Sequence, residues 1–253
     1  MSAALTLMLL ACASPGAGDI PAVAAVDAPP AATLEALLPA APPPLPAHCP
    51  KPELVQTPIT WNAEREALTL AYRDAHQASP VASAEIVPKM VVLHWTGGRS
   101  FSGAFNTFDP VRLAGRPKLA GAGDLNVSAQ FLVDQDGTIH QLLPETTMAR
   151  HVIGLNHVSI GVENVGGAEG VPLTQAQAAA NIALVCWLST QHDLSHLIGH
   201  HEYRLMEGSA LFDEVDPRYR TAKIDPGDAF MAQVRGALEE KGVVLSGPDG
   251  FAE

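Results

Sequence analysis

Short apolar runs constrain this chain more than any other feature. The segments MVVLHW (90–95), SIGVEN (159–164) and LIGH (197–200) have the length and Val/Ile content of buried strands, and Pro88 punctuates the approach to the first. Ser128 to Val133 and Thr138 to Leu142 read as two further strands around Asp136-Gly137, a dipeptide that supplies the left-handed backbone a tight hairpin needs. Between these runs lie helical patterns. Asn62 to His76 has apolar positions at Ala67, Leu68, Leu70 and Ala71 behind Asn62 as N-cap. Thr174 to Leu188 opens with Thr174 and Gln177 at capping-box spacing. Pro217 to Asp225 reads as a loop and Asp228 to Glu240 as a closing helix. Strands and helices mix without the regular alternation of a doubly wound fold, so the expected class is α/β of the mixed, α+β kind: a central mixed β-sheet flanked by helices.

The first fifty residues follow different rules. An apolar stretch from Ala3 to Ala11 is too short to span a bilayer but fits the core of a signal peptide. It ends in Leu9-Leu10-Ala11-Cys12, which resembles the bacterial lipobox, with Cys12 as the lipid anchor. Ala13 in place of Asp after that cysteine favours the outer membrane over retention at the inner one. No Lys or Arg precedes the apolar stretch, a departure that a start codon assigned too far downstream would explain. An ordinary secretory signal, giving a soluble periplasmic or secreted product, is the alternative. The following Ala- and Pro-rich stretch, with Pro42-Pro43-Pro44, lacks any period that could build a core and reads as a semi-stiff tether. The expected organisation is a signal peptide over 1–11, a tether over 12–56, one domain over 57–242 and a short tail over 243–253. An oxidising compartment would permit Cys49 and Cys186 to pair, although Cys186 reads equally well as a small core residue; the sequence leaves the pairing open.

Of 253 residues 47% are hydrophobic and 17% charged, enough for a real core, and the formal net charge of -12 repels phosphate backbones and argues against nucleic-acid partners. Ten histidines are many for this length, but their scatter forms no compact metal motif. Their neighbours are more telling. VVLHWTGG (91–98), NVSAQFLVDQDGTIHQLLP (126–144), HVIGLNHVSIGVENVGG (151–167), HLIGHHEY (196–203) and KIDPGDAF (223–230), in that order, resemble the zinc-dependent N-acetylmuramoyl-L-alanine amidases, which share their fold with peptidoglycan recognition proteins and phage amidases.

That resemblance, covering roughly Ile59 to Leu238, implies a zinc-containing groove on one face of the sheet and one Zn2+ per chain. It makes His94, His200 and Asp225 the metal ligands, a set that leaves the fourth tetrahedral position open as a catalytic site requires. Glu163 matches the acidic residue that moves protons, and Lys223 the cation that steadies an oxyanion. His151, preceded by Arg150, matches a histidine that lies beside the groove in relatives, and both are expected to touch the glycopeptide; Trp95, next to the first ligand, reads equally well as part of the groove wall or as a buried core residue. His201 rivals His200, since adjacent residues of an extended stretch face opposite sides. His196 would share a face with His200 but lie about a dozen ångströms away by strand rise. Gln130 stands where many relatives have a histidine that is not a ligand. His140, His157 and His192 are expected to be structural or exposed.

The expected activity is hydrolysis of the amide between N-acetylmuramic acid and L-alanine in peptidoglycan or muropeptides, by a monomer that touches the membrane only through its lipid. The absence of a recognisable wall-binding segment after the domain tilts the expectation towards soluble fragments. A non-catalytic muropeptide-recognition module is the rival from another class, and a cytosolic recycling amidase is a second.

Overall fold

The computed structural model describes residues 48–116, 119 and 121–248. The signal-like stretch, Cys12 and most of the expected tether lie outside them. In chain order the elements are β1 (Val55–Gln56), α1 (Ala63–His76), β2 (Met90–Trp95), α2 (Phe101–Phe108), β3 (Phe131–Val133), β4 (Ile139–Gln141), β5 (Ser159–Asn164), α3 (Gln175–Gln191), β6 (His196–Gly199), a 3-10 helix (His200–Met206) and α4 (Asp228–Glu240). The six strands form one sheet in the order β1-β4-β3-β5-β2-β6. The hairpin of β3 and β4 is antiparallel and the other pairings are parallel. This is the mixed α/β architecture expected from the sequence.

β2 lies inside the sheet, between β5 and the edge strand β6, and its sequence is apolar on both faces, as a parallel strand covered from both sides requires. Val91 and Leu93 face α3 and α4, in a core with Ile160, Val162, Leu197, Leu184, Leu188 and Val234. Met90 and Val92 face the other way, onto Val152, Ile153, Leu155, Ile198 and Tyr203. The strand alternation then sends His94 to this second face. In register with it across the β2–β5 ladder is Glu163. Capping fixes the helix on the first face: Thr174 and Gln177 form the reciprocal capping box at the start of α3.

Two expectations are corrected. The buried stripe of α1 is Arg65, Thr69, Tyr72 and His76, while Ala67 and Ala71 are exposed. Polar side chains can occupy that face because each finds partners. Arg65 Nη2 donates to the carbonyls of Phe108, Asp109 and Pro110 at 3.0, 2.8 and 2.8 Å, and His76 Nδ1 is 2.9 Å from Glu214 Oε1. Second, the run at 197–200 does not stay extended through His200. β6 stops at Gly199, and His200 opens the 3-10 helix.

Residues assigned to the flanks also join the domain. Cys49 is bonded to Cys186 of α3, with Cα atoms 5.2 Å apart, and β1 pairs with β4. Beyond Gly242, Val243 is buried in the α3–α4 core and Ser246 bridges to His196. The disulfide closes a span of 137 residues, and constraining a loop of that order in the unfolded chain stabilises the fold by typically about 2–4 kcal/mol. Reduction, or Cys49→Ser, is therefore expected to lower the denaturant midpoint by a corresponding amount. Equal midpoints with and without reductant would show that the bridge contributes nothing.

Candidate metal centre

Three side chains from three parts of the chain converge at the carboxy end of β2. His94 is the penultimate residue of that strand, His200 starts the 3-10 helix after the neighbouring β6, and Asp225 lies in the loop that feeds α4. His94 Nδ1 and His200 Nδ1 are 2.8 Å apart, His200 Nδ1 is 2.9 Å from Asp225 Oδ2, and His94 Nδ1 is 3.4 Å from the same oxygen. All three residues are buried. A tetrahedral zinc with bonds of about 2.0–2.1 Å has donor–donor edges of about 3.3–3.4 Å. The observed separations reach that edge or fall short of it by a few tenths of an ångström, so small rotations of the rings admit an ion. Two imidazoles and one carboxylate are also a donor set that zinc takes up in catalytic sites. Geometry and chemistry both fit.

The protonation states match. Burial lowers the pKa of His94, and burial together with the neighbouring His94 takes His200 down to about 3. Burial alone would raise Asp225, but the adjacent His200 and His94 rings outweigh it and hold the carboxyl well below its usual range. Neutral imidazoles beside a carboxylate anion are the forms a cation binds.

The surroundings fix each donor. The His94 carbonyl accepts from Asn164 Nδ2 at 3.0 Å, and Asn181 Nδ2 of α3 in turn donates to Asn164 Oδ1 at 2.7 Å. His94 Nε2 lies 3.0 Å from His151 Nδ1. His201 takes no part in the donor cluster: its backbone N–H and its Nδ1 both reach the Asp225 carbonyl, at 2.8 and 3.0 Å, and its Nε2 meets Asp228 Oδ1 at 2.9 Å. The rival histidine thus pins the loop that carries the third donor. At the other end of that loop Gly227 has φ 89°, a left-handed backbone that favours glycine where the chain turns into α4.

A groove of about 280 Å³ opens over the cluster, and Trp95, His151, Glu163, His200, Lys223 and Asp225 line it. Glu163 is half-buried, with Oε2 shut off from solvent and without a hydrogen-bond partner. Burial, then the negative charge of Asp225, pushes its pKa well above the usual value, against the pull of Lys223 and Arg116. Lys223 has no hydrogen-bond or ion-pair partner among the described residues, which leaves its ammonium to the groove.

Arg150, expected to contact substrate, lines the groove. Its guanidinium also donates to the carbonyls of Gly123, Leu125 and Leu119 and to the Tyr219 hydroxyl, and it stacks 4.6 Å from the Tyr72 ring centre. It ties the groove walls together from behind. Gln130 is fully buried. Its Oε1 accepts from Gly161 N–H at 2.7 Å and its Nε2 donates to Thr147 O at 2.9 Å, so it serves packing. His140, His157, His192 and His196 lie outside the donor cluster. Asn164, Asn181 and Ser159 are the contributors that sequence reasoning missed. Their one visible signal is a polar residue inside an otherwise apolar run, where burial demands a partner.

A family model described as N-acetylmuramoyl-L-alanine amidase matches residues 84–228, more than half of the chain. The chain belongs to that family. Individual relatives are more distant. The endolysin of Klebsiella phage KP32 is 35% identical over 85 residues, 32% of this chain and 56% of the phage protein. The endolysin of Escherichia phage T7 is 33% identical over 85 residues, with the same 32% and 56% coverage. The chain thus spans about half the length of these curated relatives. Among solved structures, the endolysin amidase LysCS from Clostridium intestinale URNW aligns with 76% of this chain and 99% of its own at 19% identity and a TM-score of 0.49. The matched family segment contains all three donors, Glu163 and Lys223.

An unpaired carboxyl beside the donors has a measurable cost in the metal-free protein. A folded-state pKa raised above the unfolded value contributes stability that is complete below the unfolded pKa and is lost as pH rises towards the folded one. Glu163→Gln should therefore raise the melting temperature of chelator-treated protein at neutral pH, and the gain should shrink as pH falls towards about 4.3, the ordinary value for Glu, and be gone below it. A gain that is the same at both pH values would mean that ionisation of Glu163 is not its source.

Proposed function

We propose that this chain is a zinc-dependent amidase that cuts the bond between N-acetylmuramic acid and L-alanine in peptidoglycan or its fragments. The observation that carries the reading is the donor triad of His94, His200 and Asp225, open on its groove side, with Glu163 in register with His94 one strand away. His94, His200 and Asp225 would hold a zinc ion, which would supply a Lewis acid and make water easier to deprotonate near neutral pH.

The remaining steps belong to the chain's own groups. Glu163, as the carboxylate, takes a proton from the attacking water and returns it to the leaving nitrogen; its unpaired Oε2 leaves it free for that transfer. The Lys223 ammonium offsets the negative charge that develops on the carbonyl oxygen in the tetrahedral stage. Trp95 gives the groove an apolar wall for a sugar ring or stem peptide. The amidase acts as a monomer with one zinc ion per chain.

The assay is a digest of purified sacculi and of defined muropeptides, with and without a chelator, read by mass spectrometry. Release of stem peptide that chelation abolishes is expected. Retention of muropeptide without any release would favour the recognition module instead. Among variants, Glu163→Gln should keep zinc stoichiometry near one and lose about 10²–10⁴-fold in turnover, the range for a general acid–base group. His200→Ala should lose both zinc and turnover. Retained turnover in Glu163→Gln would remove that residue from its role.

We also infer that the protein faces the periplasm, anchored to the outer membrane through Cys12. The support is the Leu9-Leu10-Ala11-Cys12 sequence; among the described residues no helix is long and apolar enough to cross a membrane. Metabolic labelling with a palmitate analogue should mark the parent protein and not Cys12→Ser. Unlabelled parent protein in cells that label their other lipoproteins would leave the soluble, secreted alternative.

A further inference from the structure

From His94 a line of hydrogen bonds leads through His151, which lines the groove, to a backbone carbonyl. Ser159 Oγ lies 2.7 Å from the Leu155 carbonyl and 3.3 Å from His151 Nε2. A carbonyl only accepts, so the single hydroxyl proton goes to Leu155 and the Ser159 oxygen is left as an acceptor. His151 Nε2 must then carry a proton. In a neutral imidazole the other nitrogen is the acceptor, and His151 Nδ1 lies 3.0 Å from His94 Nε2. His94 Nε2 therefore donates, and the His94 Nδ1 lone pair is directed at the space shared with His200 Nδ1 and Asp225 Oδ2.

The backbone is shaped to hold the middle ring of this line. A Cβ on Gly161 would lie 2.8–2.9 Å from three atoms of the His151 ring, so β5 has to be bare there. The loop that presents the ring is fastened as well: Asn156 Oδ1 accepts from the backbone N–H groups of His151 and Val152 at 2.9 and 2.8 Å.

We propose that His151 is a positioning residue of the metal centre: its Nδ1, made an acceptor by Ser159 and the Leu155 carbonyl, selects the His94 tautomer that offers Nδ1 to a cation. This rests on the zinc reading above and gives His151 a task distinct from touching the glycopeptide. Without the relay, His94 Nε2–H loses its buried partner. The other tautomer would then turn an N–H towards the donor cluster and oppose metal entry.

The test is the zinc affinity of the full chain, by competition with a chromophoric chelator, for the parent, His151→Leu, His151→Gln and Ser159→Ala. Long-range ¹H–¹⁵N spectra of the histidine rings of the parent accompany it. His151→Leu should bind zinc about 10–100-fold more weakly, the usual loss when the partner of a ligating histidine is removed. His151→Gln, whose amide oxygen can still accept from His94, should recover most of that loss, and Ser159→Ala should fall between the two. The spectra should show His94 protonated at Nε2 in the metal-free parent. Zinc affinity of His151→Leu within twofold of the parent, with only KM raised, would overturn the proposal and return His151 to substrate contact; so would a metal-free His94 protonated at Nδ1. If His151→Leu does not fold, Ser159→Ala and the parent spectra decide. A parent that holds no zinc would refute the zinc reading, and its ring spectra would still judge the relay.

Discussion

Two neutral imidazole nitrogens and a carboxylate oxygen, held within 3.4 Å of one another away from solvent, form an arrangement that a protein core would not choose for its own stability. Each group turns electron density towards the same small volume, and a proton can relieve only part of the repulsion. Burying such groups unpaired costs several kcal/mol or shifts their ionisation. A divalent cation removes the conflict in one step. Much of the surrounding structure can be read as scaffolding that keeps these donors from relaxing apart.

The sheet does most of that holding. β2 is covered on both faces and paired on both edges, so the position and pitch of His94 are set by backbone hydrogen bonds and packing that have nothing to do with chemistry. β6 brings His200 alongside by ending one residue before it. Asp225 has no strand to fix it. Its loop is held by His201, which grips the carbonyl of the very residue whose carboxylate faces the cluster. Charge and packing are thereby separated: apolar contacts set the frame, and a second layer of polar groups sets the aim.

The parts of this plan with a period or a punctuation mark were legible in the sequence. β2, β5 and α4 fall where the apolar runs put them, and the Asp136-Gly137 turn and the Thr174 cap lie at their expected positions. α2 escaped notice because its eight residues include a glycine and show no long apolar stripe. The buried face of α1 was misread for the opposite reason. Arg65 and His76 look like surface residues until carbonyls from a distant loop and a buried glutamate are found waiting for them. The donors themselves were reached through a resemblance, since no spacing in the chain brings residues 94, 200 and 225 together. Their supporting hydrogen bonds could not be read at all, because a partner for Asn164 or Ser159 exists only once the strands are assembled.

Arg150 shows where this architecture concentrates its risk. One guanidinium gathers the carbonyls of residues 119, 123 and 125 and the hydroxyl of Tyr219, stretches of chain that share no ladder with one another. The floor of the groove is a sheet with many redundant bonds, whereas the shape of its rim depends on a hub with few substitutes. Damage to the floor would be diluted over many interactions. Loss of the hub would let several loops drift at once above an intact sheet, so the profile offered to a ligand is less robust than the fold beneath it.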